Sequence, residues 1–170
     1  MPLRKGAQTG KSAPQGPAER SAAEAQLESF IAKYEPEIAA QARSILARMR
    51  ARLPGALELV YDNYNALAIG FGPTERASDA IFSIALFPRW VSLFFLHAEG
   101  LSDPQKVLRG TGKQARHVVL RGTQTLDDPA IQALMAEASK RATVPLDPAQ
   151  PSRLVIKSIS AKQRPRRPRV

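Results

Sequence analysis

Apolar residues first recur with a helical period. In residues 22–34, Leu27, Phe30, Ile31 and Tyr34 fall on one face. Pro36 suits the first turn of a second helix. Along it Ile38, Ile45, Leu46, Met49 and Leu53 form one stripe, and Pro54-Gly55 stops it. The period then shortens. Residues 56–61 and 65–71 predict strands joined by a turn at Asp62-Asn63-Tyr64-Asn65. Ala66, Ala68 and Gly70 share one face of the second strand, where small side chains admit a helix or a ligand.

Residues 80–98, AIFSIALFPRWVSLFFLHA, are long enough to be weighed as a membrane span. Pro88-Arg89 at the centre argues against it, because Arg is costly there and Pro breaks a helical ladder. Two strands, 80–87 and 90–96, fit better. Pro at the first turn position suits a type I turn, so a four-residue loop Phe87–Trp90 is expected. The register then opposes Phe82 to Phe95, Ile84 to Leu93 and Leu86 to Val91 on a wholly apolar face. The other face opposes Ser83 to Phe94 and Ala85 to Ser92, with Phe87 and Trp90 at one end. It reads either as a shallow ligand groove or as a central strand pair covered on both sides.

Further along, Ser102-Asp103-Pro104 predicts a short helix over 101–109. Residues 115–121 predict a strand with His117, Val119 and Arg121 on one face. Asp128-Pro129 starts a helix to about Ala142 that buries Ile131, Leu134 and Met135. A Pro-rich linker follows, and 154–159 is a candidate edge strand. Strands that outnumber helices and adjoin in hairpins predict an α+β fold with a mainly antiparallel sheet and helices packed on it. The expected organisation is a disordered basic tail over 1–20, one domain over 21–145, a linker and edge strand over 146–160, and a flexible Arg/Pro tail over 161–170.

Charge sharpens this picture. The 170 residues carry 25 Lys and Arg against 15 Asp and Glu, a net +10. Residues 1–20 hold four basic residues and one acidic residue, and residues 153–170 hold seven basic and none acidic. The stretch between them has fourteen of each sign. The basicity therefore belongs to the two ends. With no Cys, disulfides, thiolate metal sites and thiol nucleophiles are excluded. Two His, His97 and His117, exclude a three-His zinc site. No apolar run follows the N-terminal basic residues, so no secretory signal is read and a cytoplasmic location is expected.

Four groups of residues are candidates for chemistry. Gly110-Thr111-Gly112-Lys113 lacks the spacing of a phosphate loop. With Arg109, Arg116 and His117 it still forms a basic, flexible anion-binding candidate, the alternative being a glycine turn into an edge strand. Tyr61, Asp62, Asn63 and Tyr64 form a polar cluster at a hairpin mouth, suited to orienting a ligand or simply to making a turn. Trp90 stands beside the groove candidate. Glu24, Glu28, Glu35 and Glu37 read as a hard-cation set or as an ordinary solvated face. Lys162, Arg164, Arg166, Arg167 and Arg169 alternate with Pro in the last nine residues and predict salt-sensitive, sequence-blind contact with nucleic acid or another polyanion, or a solubilising tail. Nucleophile-elbow, HExxH and GxGxxG signatures are all missing, which leaves a catalytic residue unassigned.

The chain resembles the YdhG-like family, a widespread bacterial domain of unknown function, over about residues 25–142, with the matching features between Leu53 and Leu120. The resemblance rests on Leu53-Pro54 with Glu58, on Tyr61-Asp62 opening a Gly/aromatic strand, and on the paired apolar strands. Gly100-Leu101, Leu108 before Gly110-Thr111-Gly112-Lys113, and Arg116-His117 complete it. It implies a frataxin-like arrangement of helices on an antiparallel sheet. It also implies a non-enzymatic binding role, with iron as the one candidate cofactor because some members are described as iron chaperones. The neutral domain departs from the acidic surface that such a role implies. The expected partner is a small ligand or a protein, with polyanion contact through the tails and no membrane. An enzyme acting on an anionic metabolite, with His117 as acid or base, remains the other reading.

Overall fold

The structure, a computed structural model, describes residues 14–169. Among these residues, three α-helices and six strands form an α+β fold. Helix α1 spans Pro17–Ile31 and α2 spans Pro36–Arg52. Each begins on a proline, whose fixed φ and missing N–H suit the first turn. In α2 Glu37 lies in the first turn and Arg50 and Arg52 in the last, complementing the helix dipole. Helix α3 spans Pro129–Arg141, and the Asp128 side chain caps it by accepting from the Ala130 N–H at 2.9 Å.

The strands are β1 (Leu57–Asp62), β2 (Leu67–Gly72), β3 (Phe82–Leu86), β4 (Val91–Phe95), β5 (Arg116–Leu120) and β6 (Leu154–Ile159). They form one sheet in the order β5-β4-β3-β2-β1-β6. Every pairing is antiparallel except β1 with β6, which is parallel. The β3–β4 register opposes Phe82 to Phe95, Ile84 to Leu93 and Leu86 to Val91, as the apolar alternation predicts. Phe87 N–H donates to the Trp90 carbonyl at 2.9 Å across the loop. The stretch weighed as a membrane span is thus a hairpin. No helix among the described residues is long and apolar enough to cross a membrane.

Alternation gives the sheet two different faces. One carries Val60, Ile69, Phe71, Phe82, Ile84, Leu93, Phe95 and Leu120, which form a single buried cluster with Leu27, Ile31, Ile45, Met49, Ile131 and Leu134 of the three helices. The opposite face carries Leu59, Tyr61, Ala68, Gly70, Ser83, Ala85, Ser92, Phe94, His117 and Val119. Segment 73–80 crosses part of it. A Cβ on Gly72 would stand 2.8 Å from Ala80 Cα, so only glycine admits that crossing.

Three expectations change. The first tail is shorter than expected: α1 starts at Pro17, inside the 1–20 region, and residues 1–13 lie outside the described ones. Arg20 faces Glu58 of β1, a contact that local apolar periodicity does not register. Residues 101–109 form no helix. The Asp103 carboxylate instead accepts from the N–H groups of Val107 and Leu108 at 2.9 and 3.0 Å, and Lys106 takes a left-handed φ of 53°. A short polar side chain here satisfies loop amides rather than opening a helix.

The third change is at the C-terminal end, where the Arg/Pro segment is docked. After β6, Ser160 N–H donates to the Asp62 carbonyl (2.9 Å) and Arg164 N–H to the Tyr64 carbonyl (2.8 Å). Arg166 is only 6% exposed, held by Asp62 and by the Asn63 carbonyl. Proline's stiffness, read as a reason for extension, here lowers the entropy lost on docking.

Candidate functional site

The helix-free face is built of two straight rows. Tyr61, Ala68, Ala85, Ser92 and Val119 oppose one another in turn across β1 to β5. Leu59, Gly70, Ser83, Phe94 and His117 form the next row, and an antiparallel bridge adds Arg109 beside His117. Small residues fill the middle and large ones stand at the ends; Leu59, Gly70, Ser83, Ala85 and Ser92 are buried, while Tyr61, Ala68, Phe94, His117 and Val119 are half-buried. Two ring pairs stand at the β4–β5 side of the sheet, one in the β3–β4 loop and one across β4 and β5. Phe87 and Trp90 stack with centroids 5.0 Å apart, and Phe94 and His117 lie 5.1 Å apart. Trp90, the only Trp of the chain, is 42% exposed.

Two hydroxyls on this face have no protein partner although their oxygens are buried: Tyr61 Oη and Ser92 Oγ. Ser92 is 1% exposed as a residue. Buried polar atoms without a hydrogen bond are uncommon, so two in one row set the face apart from an ordinary surface.

The structure divides the predicted site residues. Tyr61, Trp90, Arg109 and His117 all emerge on the helix-free face. Tyr61 and His117 are four strands apart, about 19 Å at ~4.8 Å per strand, so they line one surface but not one cavity. Asp62 points to the helix side. Asn63 and Tyr64 belong to the turn, closed by Asn63 N–H donating to the Ala66 carbonyl at 3.0 Å. Gly110 takes φ 111°, which lets the chain leave the Arg109–His117 bridge. Lys113 is exposed, while Arg116 Nε turns back to the Gly112 carbonyl at 2.5 Å. Lys113 and Arg116 line a separate cleft of about 360 Å³ with Ala98, Glu99, Gly100 and Leu101. Gly110 and Gly112 therefore act as a turn that separates the basic residues.

Asp62 is fully buried and structural. Lys33 Nζ approaches its carboxylate at 2.7 Å and Arg166 at 2.8 Å. Burial alone would push this carboxyl up, but hydrogen bonds from Lys33, Gln163 and Arg166 outweigh it and hold it below the usual range. Beside it the Tyr34 hydroxyl donates to the Leu86 carbonyl (2.9 Å) and accepts from the Leu67 N–H (3.1 Å). Arg166 lies over the Tyr34 ring at 5.8 Å. Burial pushes the Tyr34 phenol up, against the pull of Arg166.

The tail cations are correspondingly not one free set. Arg166 is committed to Asp62, Arg167 pairs with Glu35 at 3.9 Å, and Arg164 covers the Tyr64 ring at 5.5 Å. Lys162, Arg164, Arg167 and Arg169 are exposed. Three of the four acidic residues of the first helices are likewise spent in pairs, Glu37 in the first turn of α2 having none among the described residues. Glu24 meets Arg20 and Arg50, Glu28 meets Arg43, and Glu35 meets Arg167. Among the described residues no group of three His, Asp or Glu side chains is placed to hold a metal ion.

Two features escape a reading by sequence. Phe94 joins His117, and the strand register placing it on Trp90's face was the available signal. A cleft of about 290 Å³ between Ser78, Asp79, His97, Arg141 and Val144 had none, because it joins a loop, a strand end and the end of α3.

The fold and site define an α+β domain whose three α-helices cover one sheet face, the other carrying no α-helix among the described residues. No family model, curated protein or solved structure matches the chain.

Proposed function

We propose that this protein is a small non-enzymatic binding domain of YdhG-like type, whose ligand lies on the helix-free sheet face between Tyr61 and His117. One observation carries the reading: the small residues Ala68, Ala85, Ser92, Gly70 and Ser83 lie side by side across the sheet, with Tyr61 at one end and Phe94 and His117 at the other, and Trp90 in the adjoining loop. Small centres with aromatic ends give a ligand contact area without requiring side chains to move. The unpartnered Tyr61 and Ser92 hydroxyls support it.

His117 lies against the Phe94 ring, which suits stacking better than proton transfer. The iron role rests on the family resemblance alone, and ferrous titration of the full chain tests it. For the main reading, a fragment library is screened by chemical-shift mapping. Fragments that shift Trp90, Phe94 and His117 support it. Fragments that gather instead in the Ser78–His97–Arg141 cleft overturn it.

A further inference from the structure

Resting on that reading of the face, we infer that its ligand is single-stranded nucleic acid. The rings and the charges at the β4–β5 end point to the same chemistry. Trp90, the loop residue immediately before β4, and Phe94 within β4 are four residues apart, ~14 Å at about 3.4 Å per residue of extended chain. Small Ser92 and Ala85 lie between them. Two bases of an extended strand can stack on these rings while the chain passes over the small residues. Base-on-aromatic stacking accepts any base, which fits a surface offering few groups to read a base edge.

The charges flank the rings at both ends. Arg109 sits beside His117 through the antiparallel bridge. Arg121 directly follows β5 at Trp90's end, and Arg89 precedes Trp90 in the hairpin. All three are exposed. Among the described residues, no carboxylate pairs with any of them. On the helix side Arg20, Arg43, Arg48, Arg50 and Arg52 all meet acids. Arg76, Arg116, Arg164 and Arg169 share the lack of a carboxylate partner among the described residues, so it is the position beside the rings that singles out Arg89, Arg109 and Arg121. A double helix would bring phosphates to the cations but hide its bases from the rings.

The test titrates the full chain into a fluorescein-labelled thymidine decamer, read by anisotropy and by emission of the single Trp90. Saturable binding with a change in Trp90 emission is expected. Trp90→Ala should weaken binding at least about fivefold, and Trp90→Phe, which keeps a ring, should restore most of it. The log–log salt slope should be about −2 for three phosphate contacts, and Arg109→Ala should flatten it by ~0.7. The double variant Arg164→Ala/Arg167→Ala should bind like the parent. Three results overturn the inference: no binding at low salt, equal affinity for a duplex of matched charge, or binding lost in the tail variant and kept in Trp90→Ala. If the decamer fails while fragments still map to this sheet face, the ligand class falls and the site stands. If fragments map elsewhere as well, both fall.

Discussion

Arg166, four residues from the C-terminus, places its guanidinium 2.8 Å from the carboxylate of Asp62 at the end of β1, and both side chains are buried. This pair turns a basic tail into part of the fold. It closes the lower end of the sheet with Lys33 on the other carboxylate oxygen and Tyr34 beneath the guanidinium. Earlier in the same segment, the Ser160 and Arg164 N–H groups donate to the carbonyls of Asp62 and Tyr64.

Arg166→Ala removes one partner of a buried pair and leaves Asp62 with Lys33 as its one cation. A loss of about 3–5 kcal/mol is expected. For a chain of this size that lowers Tm by roughly 6–20 °C. A thermal melt measures it, and a melt within a degree of the parent would mean that the tail is not docked in solution.

The same pair makes stability depend on acid. The Asp62 carboxyl is held below its ordinary value of 3.8, so its contribution is fully present above that pH. It is lost as the pH falls through the lower value of the folded state, because the unfolded chain then binds the proton more readily. Asp62→Asn should remove up to about 1.4 kcal/mol per pH unit of slope in that window. Urea midpoints taken from pH 5 downward measure it; parallel curves for parent and variant would refute it.

Glu58, 2% exposed, receives Arg50 at 2.8 Å and Arg20 at 3.4 Å and ties both first helices to β1. Glu24 meets the same two arginines nearer the surface. Glu58→Ala should cost about 1.5–3 kcal/mol, because it removes charge-assisted hydrogen bonds made by a buried carboxylate, while the partly exposed Arg20 and Arg50 keep Glu24. Glu24→Ala should cost about 1 kcal/mol at most. Chemical denaturation of both variants tests the order, and an equal cost would contradict the burial argument.

Gly55 has φ +79°, and a Cβ there would stand 1.9 Å from the Asp147 carbonyl oxygen. Gly55→Ala should therefore push segment 143–152 off the end of α2. Proteolysis within that segment should accelerate well beyond the parent rate, since cleavage follows the population of the opened state. An unchanged digest would show that the contact is not needed.

The sequence by itself determined the elements and much of the register. Proline at the start of α2 and α3 and the apolar stripes of all three helices mark them, although the first turn of α1 at Pro17 lay inside the expected tail. Strict alternation at Phe82–Leu86 and Val91–Phe95 sets their pairing, because a slip of one residue would turn the whole apolar face to water. That alternation also puts Trp90, Ser92 and Phe94 on one side of β4. What it does not say is which side the helices take, and hence which face stays open. Only the tertiary structure decided that. It also decided the fate of the basic tail, since Asp62 and Arg166 are 104 residues apart and nothing in either local pattern reports the other. Local periodicity records the neighbours a residue has along the chain. Buried charge pairs and the choice of open face depend on neighbours brought there by folding.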